Sequence, residues 1–277
     1  MPTQAMKPLL SDRQINSFKK EGFLIIKNFY KLKRIEKIQE KAYNIIGELM
    51  DEQRINDSRE RFDGNNFDQQ FNMLIEMNRS WGGIIYDAVK QIPAFVNLVS
   101  DPIHEEIFSS LRHNAVPGLA GGGYGIRINN PFEDRYRAFW HQEYPAQLRS
   151  KDGLVFWSPL VPVTQGMGPV NILRRSHSEG PLSVFNSNDD DMSRFGPYLL
   201  RLHDEQKCID QYPCIAPLTN PGDLMIMDFF LVHSSGYNRS TRSLWSMQFR
   251  YFNFSEPQGK KNSWIGSFSQ GVDFKSI

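Results

Sequence analysis

His141, Glu143 and His233 are the residues of this chain whose types and spacing suit a transition metal. In the run Phe139-Trp140-His141-Gln142-Glu143, the two-residue period of a strand over 135–143 places His141 and Glu143 on one face, near enough to share an ion. With His233 they form two imidazoles and one carboxylate, the facial donor set of non-haem Fe(II), which leaves adjacent positions open for a co-substrate and oxygen. An H-x-E triplet arises often by chance, so the elements that must carry these residues decide its worth.

Pro221-Gly222-Asp223 predicts a turn, and Leu224 to Val232 reads as one continuous buried strand with His233 at its end, beside Ser234-Ser235-Gly236. A histidine there can reach into the mouth of a closed sheet. In the next strand, 243–253, Leu244, Ser246, Gln248 and Arg250 share a face with Arg242, while Ser243, Trp245, Met247, Phe249 and Tyr251 share the other. The polar face is expected to line the site and the aromatic face to be covered by helices. Arg242 is then the natural anion anchor, since a guanidinium grips a carboxylate with two parallel hydrogen bonds. Arg250, farther along the same face, is the second choice.

The N-terminal third reads as mainly helical. Ser11-Asp12-Arg13-Gln14 has the form of a capping box before a short helix that ends at Gly22, and Phe23–Ile26 follows as a strand. From Ile35, the residues Ile35, Ile38, Ala42, Ile45 and Leu49 mark one face of an amphipathic helix. Residues 51–68 are polar and aperiodic, as in a loop or the rim of a site. Helical pieces resume near Gln69 and run to Leu111, divided at Gly82-Gly83, Pro93 and Ser100-Asp101-Pro102.

From Gly118 the pattern changes to strands, with candidates at 124–129, 135–143, 153–163, 168–173, 213–216, 224–233 and 243–253. Helices first and strands afterwards predict an α+β fold with helices packed outside a sheet closed or folded on itself. Residues 178–212, with Asp189, Asp190 and Asp191, interrupt the strands and read either as a lid or as a solvated excursion. The organisation expected is a single domain over 1–277, in which residues 1–117 are mainly helical, 118–255 form a strand core and 256–277 a tail.

The chain has 277 residues, of which 40% are hydrophobic, enough for a large core. Its 32 basic and 31 acidic residues nearly cancel, which argues against nucleic acid and anionic membranes as partners and favours a small molecule. Cys208 and Cys214 are too few for a disulfide framework and read as ordinary thiols. No apolar run reaches the length of a membrane span, so a cytoplasmic protein is expected.

His141-Gln142-Glu143, Leu154 to Leu160, Gly168-Pro169-Val170, Ser176-His177, Gly222-Asp223 and the run from His233 through Asn238 and Ser240 to Arg242, taken in order over residues 11–255 with the opening at 18–23, resemble the phytanoyl-CoA dioxygenase family. The resemblance implies a double-stranded β-helix (jelly-roll, cupin-like) core that holds Fe(II), with 2-oxoglutarate as co-substrate and O2 as oxidant. By position, His141, Glu143 and His233 would be the iron ligands. Arg242 would bind the distal carboxylate of 2-oxoglutarate with help from Ser235, and Trp157 falls where the family places an aromatic beside the co-substrate. Arg127 and Asn129 precede the triad at alternate positions and are expected to face inward, Asn129 towards the co-substrate and Arg127 towards substrate. Asn130 stands where relatives often carry a lysine.

Three features depart from the family pattern. Glu143 stands in place of the commoner aspartate, and Arg242 follows His233 by nine residues, about two fewer than the family spacing. Arg174-Arg175 precede Ser176-His177 where relatives have proline and glycine. Arg174, Arg175 and His177 are therefore candidates for contact with an anionic or strongly hydrogen-bonding substrate, set against the reading that the arginines lie on the surface and the histidine is structural. The function expected is hydroxylation of a C–H bond in a small polar metabolite or a glycosyl or acyl intermediate, with release of succinate and CO2. The alternatives are a cupin-like metal-binding isomerase and a catalytically silent ligand-binding protein.

Overall fold

The structure, a computed structural model, describes residues 9–187 and 199–266. Ser11 caps helix α1 (Asp12–Glu21) through a capping box with Gln14, and Gly22, at φ 80°, ends it in the left-handed conformation that glycine adopts at least cost. Strand β1 (Phe23–Ile26) and the long helix α2 (Leu32–Glu52) follow. The expected apolar stripe of α2 is buried at Ile35, Ile38, Ala42 and Leu49, with Ile46 in the core and Ile45 partly covered. Four shorter helices come next: α3 (Phe71–Met77), α4 (Arg79–Val89), α5 (Pro93–Val99) and α6 (Ile103–Leu111).

The strand region opens with β2 (Pro117–Leu119) and β3 (Gly125–Asn129), then the single-turn helix α7 (Glu143–Ala146), β4 (Gly153–Pro159), β5 (Val170–Leu173), β6 (Val184–Asn186) and β7 (Leu200–Leu202). Helix α8 (Glu205–Gln211), strands β8 (Cys214–Ile215), β9 (Leu224–Asp228), β10 (His233–Ser235) and β11 (Leu244–Asn253), and helix α9 (Pro257–Lys261) follow, with short 3-10 turns at Gln165–Met167 and Ser176–Glu179. All strand pairings given among the described residues are antiparallel. One sheet runs β1-β9-β4-β11-β2, with β3 also paired to β11, and a second runs β10-β5-β8. The fold is thus a mixture of helix and antiparallel sheet, as expected.

Strand β11 divides its side chains as its alternation predicts. Trp245, Met247, Phe249 and Tyr251 are buried in the main core. Trp245 meets Phe67 and Phe71 edge to face at centroid distances of 5.4 and 4.9 Å. On the same side Tyr251 donates its hydroxyl hydrogen to the Val99 carbonyl, and His104 of α6 packs on Phe249. These contacts clamp the helical layer to the sheet and leave the other face of β11 to the site.

Two expectations about strands are corrected. Residues 135–143 form no continuous strand; His141 makes one isolated bridge to His233, and Glu143 begins α7. The amides of Glu143 and Tyr144 both turn to the Phe229 carbonyl, and Pro145 has no amide to extend a ladder. The run 224–233 is also broken, because the Asp228 carboxylate accepts from the Phe230 amide and Leu231 N–H bonds back to the Asp228 carbonyl. The chain therefore leaves the first sheet after Asp228 and enters the second at His233.

From Gln53 on, the segment 51–68 is irregular, as the loop reading expects, and the reading as the rim of a site is corrected. Phe67 is fully buried under Trp245, and the Arg59 guanidinium is tied to Asp57 and to the Tyr43 carbonyl. None of them lines the central cavity. Cys208 is buried, Cys214 is exposed, and both are free thiols. Among the described residues no helix is long and apolar enough to cross a membrane.

Candidate metal centre

The bridge between His141 and His233 brings together two chain segments whose side chains meet over a cavity. The backbone amides of the two histidines exchange hydrogen bonds at 3.0 and 3.1 Å, and their rings lie 4.3 Å apart. Two residues beyond His141, the first residue of α7 adds the carboxylate. One ligand atom from each of His141, Glu143 and His233 lies within 4.8 Å of the other two, and Nε2 of His233 stands 3.8 Å from a Glu143 oxygen.

The imidazoles are oriented as metal ligands require. Nδ1 of His141 is 2.7 Å from the Phe139 carbonyl, and Nδ1 of His233 is 2.9 Å from the Leu231 carbonyl. A carbonyl only accepts, so each Nδ1 carries the hydrogen and each Nε2 presents its lone pair. Burial lowers the pKa of both histidines, and with the neighbouring His141 and Arg250 it takes His233 down to about 3. Neutral imidazole is the form that binds metal. The donor set therefore fits a divalent cation with mixed nitrogen and oxygen preference, as Fe(II) has.

Glu143 is 3% exposed, and burial alone would raise its pKa. The Arg250 guanidinium outweighs that effect and, helped by the two histidines, holds the carboxyl down at about 2. Arg250 donates from Nε at 3.1 Å and from Nη2 at 2.8 Å to the two Glu143 oxygens. The second-choice anchor of β11 is thus the partner of the carboxylate in the candidate metal centre.

The cavity beside this centre has a volume of about 480 Å³ and is lined from both sheets. From the larger sheet come Leu244, Ser246, Gln248 and Arg250 of β11, Val155 and Trp157 of β4, Met227 of β9 and Arg127 and Asn129 of β3; from the smaller come Val170, His233 and Ser235. Val184 of β6 and Leu200 and Leu202 of β7 also face it, so the 178–212 segment contributes to the wall. Asp189, Asp190 and Asp191 lie outside the described residues. Gln142 secures this wall by donating to the Gly180 and Phe230 carbonyls and accepting from the Leu182 amide.

Of the sequence-derived candidates, His141, Glu143, His233, Ser235, Trp157, Asn129 and Arg127 are together on this cavity. Arg242 is not. Its Nε and Nη2 bind the Asp68 carboxylate at 2.9 and 2.7 Å, and Nη2 also reaches the Asn65 carbonyl. Arg174 and Arg175 both pair with Glu21 at the end of α1, and Nε2 of His177 contacts the Lys19 carbonyl. These three tie α1 to the sheet and do not line the cavity. Sequence reasoning missed Arg79, Arg135, Arg137 and Arg201 on the cavity wall and the Phe139 ring over which Arg201 stacks at 3.5 Å. Three of the four lie in loop or β6–β7 segments that carried no periodic signal.

A sequence model described as phytanoyl-CoA dioxygenase matches residues 18–243. No curated protein matches the chain. Among solved structures, EctD from S. alaskensis with 2-oxoglutarate and 5-hydroxyectoine is similar at TM-score 0.59 and 15% identity, covering 92% of this chain and 79% of that one. The epimerase SnoN from nogalamycin biosynthesis, in complex with Fe3+, alpha ketoglutarate and nogalamycin RO, gives 0.58 and 12%, covering 95% and 91%. EvdO2 from Micromonospora carbonacea var. aurantiaca, complexed with 2-oxoglutarate, gives 0.55 and 16%, covering 88% and 91%. At these identities the likeness is one of fold.

Proposed function

Because the chain belongs to the phytanoyl-CoA dioxygenase family, whose members use Fe(II), 2-oxoglutarate and O2, we propose that it hydroxylates a C–H bond of a small polar metabolite or a glycosyl or acyl intermediate. 2-Oxoglutarate would leave as succinate and CO2. The two sheets would be the halves of a double-stranded β-helix, and the chain a single oxygenase domain. The observation that carries this reading is the convergence of His141, Glu143 and His233 with both Nδ1 atoms committed to backbone carbonyls.

Bound iron with its co-substrate and O2 would supply the oxidising power for C–H cleavage. The protein's share is position and environment. The Phe139 and Leu231 carbonyls hold the imidazole planes, and Arg250 keeps Glu143 ionised within a buried site. Val155, Trp157, Val170, Met227 and Leu244 give the cavity an apolar wall that excludes water from the reacting groups. A volume of about 480 Å³ suits a co-substrate and a small substrate together.

Likeness to the alpha ketoglutarate dependent epimerase SnoN supports a second outcome, stereochemical inversion at the carbon that loses hydrogen, for which an external reductant would supply the two electrons that hydroxylation takes from the substrate. Incubation with Fe(II), 2-oxoglutarate, O2, ascorbate as reductant and a fraction of small metabolites separates the readings. Succinate release with a product that has gained one oxygen atom supports hydroxylation, and succinate with an isomer of unchanged mass supports epimerisation. Metal uptake without succinate from any fraction contradicts both and leaves the cupin-like isomerase and the silent ligand-binding protein.

A further inference from the structure

Five glycines line the cavity: Gly82, Gly83, Gly122, Gly123 and Gly125. Three of them answer to the fold. A Cβ on Gly82 would stand 2.7 Å from the Ile75 side chain, and one on Gly123 would stand 2.8 Å from the Ala120 methyl. Gly122 has φ +73°, where any other residue is strained.

Gly83 and Gly125 have no such cause. Gly83 lies inside α4 and Gly125 opens β3, and neither has a positive φ. A Cβ on either would meet nothing within 4 Å. Glycine in a helix or strand is less stable than alanine because it gives up more backbone freedom. Where no steric or dihedral need explains it, the bare main chain suits the close approach of a ligand.

The two positions sit at different depths of one cavity. Strand β3 turns Gly125, Arg127 and Asn129 to the cavity and buries Ile126 in the core. Gly125 pairs with Gln248 of β11, whose Oε1 accepts from Nη2 of Arg250 at 3.3 Å. Nη1 of Arg250 also reaches the Gly123 carbonyl at 3.3 Å. The space over Gly125 is therefore next to the Arg250–Glu143 pair of the metal centre. Gly83 is exposed, on a helix that packs against β3, so its space is at the outer end.

We infer that Gly83 and Gly125 determine substrate specificity: their missing side chains leave clearance for a substrate that enters past Gly83 and lies over Gly125 against bare main chain. The inference rests on the oxygenase reading above. It makes the width of the substrate at these two points the property on which the cavity selects. A larger residue at either point then excludes substrate while the metal ligands and the co-substrate keep their places.

The variants Gly125→Leu, Gly83→Leu and Gly83→Ala test this against Gly121→Leu, at a glycine that also has nothing within 4 Å of its Cβ but does not line the cavity. Succinate release is followed with Fe(II), 2-oxoglutarate, O2, ascorbate and the metabolite fraction on which the parent is most active. Calorimetry of the Mn(II)-loaded proteins, which do not turn over, follows 2-oxoglutarate. The substrate-dependent rate is expected to fall about 100-fold in Gly125→Leu and about 10-fold in Gly83→Leu, with Mn(II) and 2-oxoglutarate affinities unchanged. Gly83→Ala is expected to melt above the parent, since alanine is the better helix former, and Gly121→Leu to match the parent in rate and affinities. A parental rate in Gly125→Leu overturns the assignment. So does a loss of 2-oxoglutarate affinity as large as the loss of rate, which gives the space to the co-substrate, or a Gly83→Ala that melts below the parent, which gives that glycine a structural cause. A parent protein that releases no succinate with any fraction overturns the oxygenase reading and the assignment with it.

Discussion

Arg250 holds Glu143 by two parallel hydrogen bonds, Nε to Oε2 at 3.1 Å and Nη2 to Oε1 at 2.8 Å, across 107 residues of sequence. Glu143 is 3% exposed, so the pair keeps a buried carboxylate ionised and aimed at two imidazoles that present their lone pairs. A cation entering the centre must share that carboxylate with the guanidinium.

Metal affinity and stability should therefore move in opposite directions when Arg250 is removed. Arg250→Gln leaves a buried carboxylate unpaired and is expected to cost about 3–5 kcal/mol in the chelator-treated protein. The same variant should bind Mn(II) about 10-fold or more tightly, because the guanidinium no longer competes. Urea unfolding with and without Mn(II) reads both quantities. Weaker Mn(II) binding would mean that Arg250 orients the carboxylate for the metal and does not compete with it.

Arg242 should prove structural. Asp68 has a side chain only 7% exposed, and Arg242→Gln removes its cationic partner, at an expected cost of about 1–3 kcal/mol. Asp68→Asn combined with Arg242→Gln should recover some of that loss, giving a coupling energy of about 1–2 kcal/mol. A zero coupling in denaturant unfolding would contradict the ion pair.

How far the site was legible follows from these pairs. His141, Glu143 and His233 could be read because ligation depends on residue type, and the face of β11 because alternation survives in one long strand. The partners of Arg242 and Arg250 could not be read, since Asp68 lies 174 residues from one and Glu143 107 residues from the other. Tertiary pairing of that range leaves no local pattern. Leu224 to Val232 looked continuous because an apolar run does not show where it leaves a sheet. The only local sign was Asp228, whose side chain can cap a turn.

The close approach of Gly168 and Gly236 should be indispensable to His233. Gly168 has φ +67°, and a Cβ there would stand 2.6 Å from backbone carbons of Gly236 and Tyr237, just beyond the β5–β10 pairing that carries the histidine. Gly168→Ala is expected to cost about 3 kcal/mol or more, combining left-handed strain with a clash against backbone, and to weaken Mn(II) uptake. Gly121→Ala meets nothing within 4 Å and should change stability by less than about 0.5 kcal/mol. Equal melting temperatures for the two variants would contradict a tight β5–β10 approach.

Acid sensitivity should trace to His104 among other groups. Its ring is fully buried and 2.8 Å from the Tyr30 hydroxyl, and burial lowers its pKa to about 4 from 6.5. The unfolded chain binds a proton below about 6.5 that the folded chain refuses until about 4. Stability from this group is thus complete above pH 6.5 and falls as the pH drops to 4, by roughly 3 kcal/mol in all. Urea unfolding across that window should show a shallower pH slope for His104→Gln than for the parent. An unchanged slope would place the sensitivity elsewhere.

The central claim is that His141, Glu143 and His233 form one iron site which chelates 2-oxoglutarate. Anaerobic titration of the protein with Fe(II) and 2-oxoglutarate tests it most directly. A weak visible charge-transfer band that saturates at about one iron per chain, and that His233→Ala and Glu143→Ala each abolish, is the result predicted. A protein that gives no band, or a band that survives both substitutions, would contradict it.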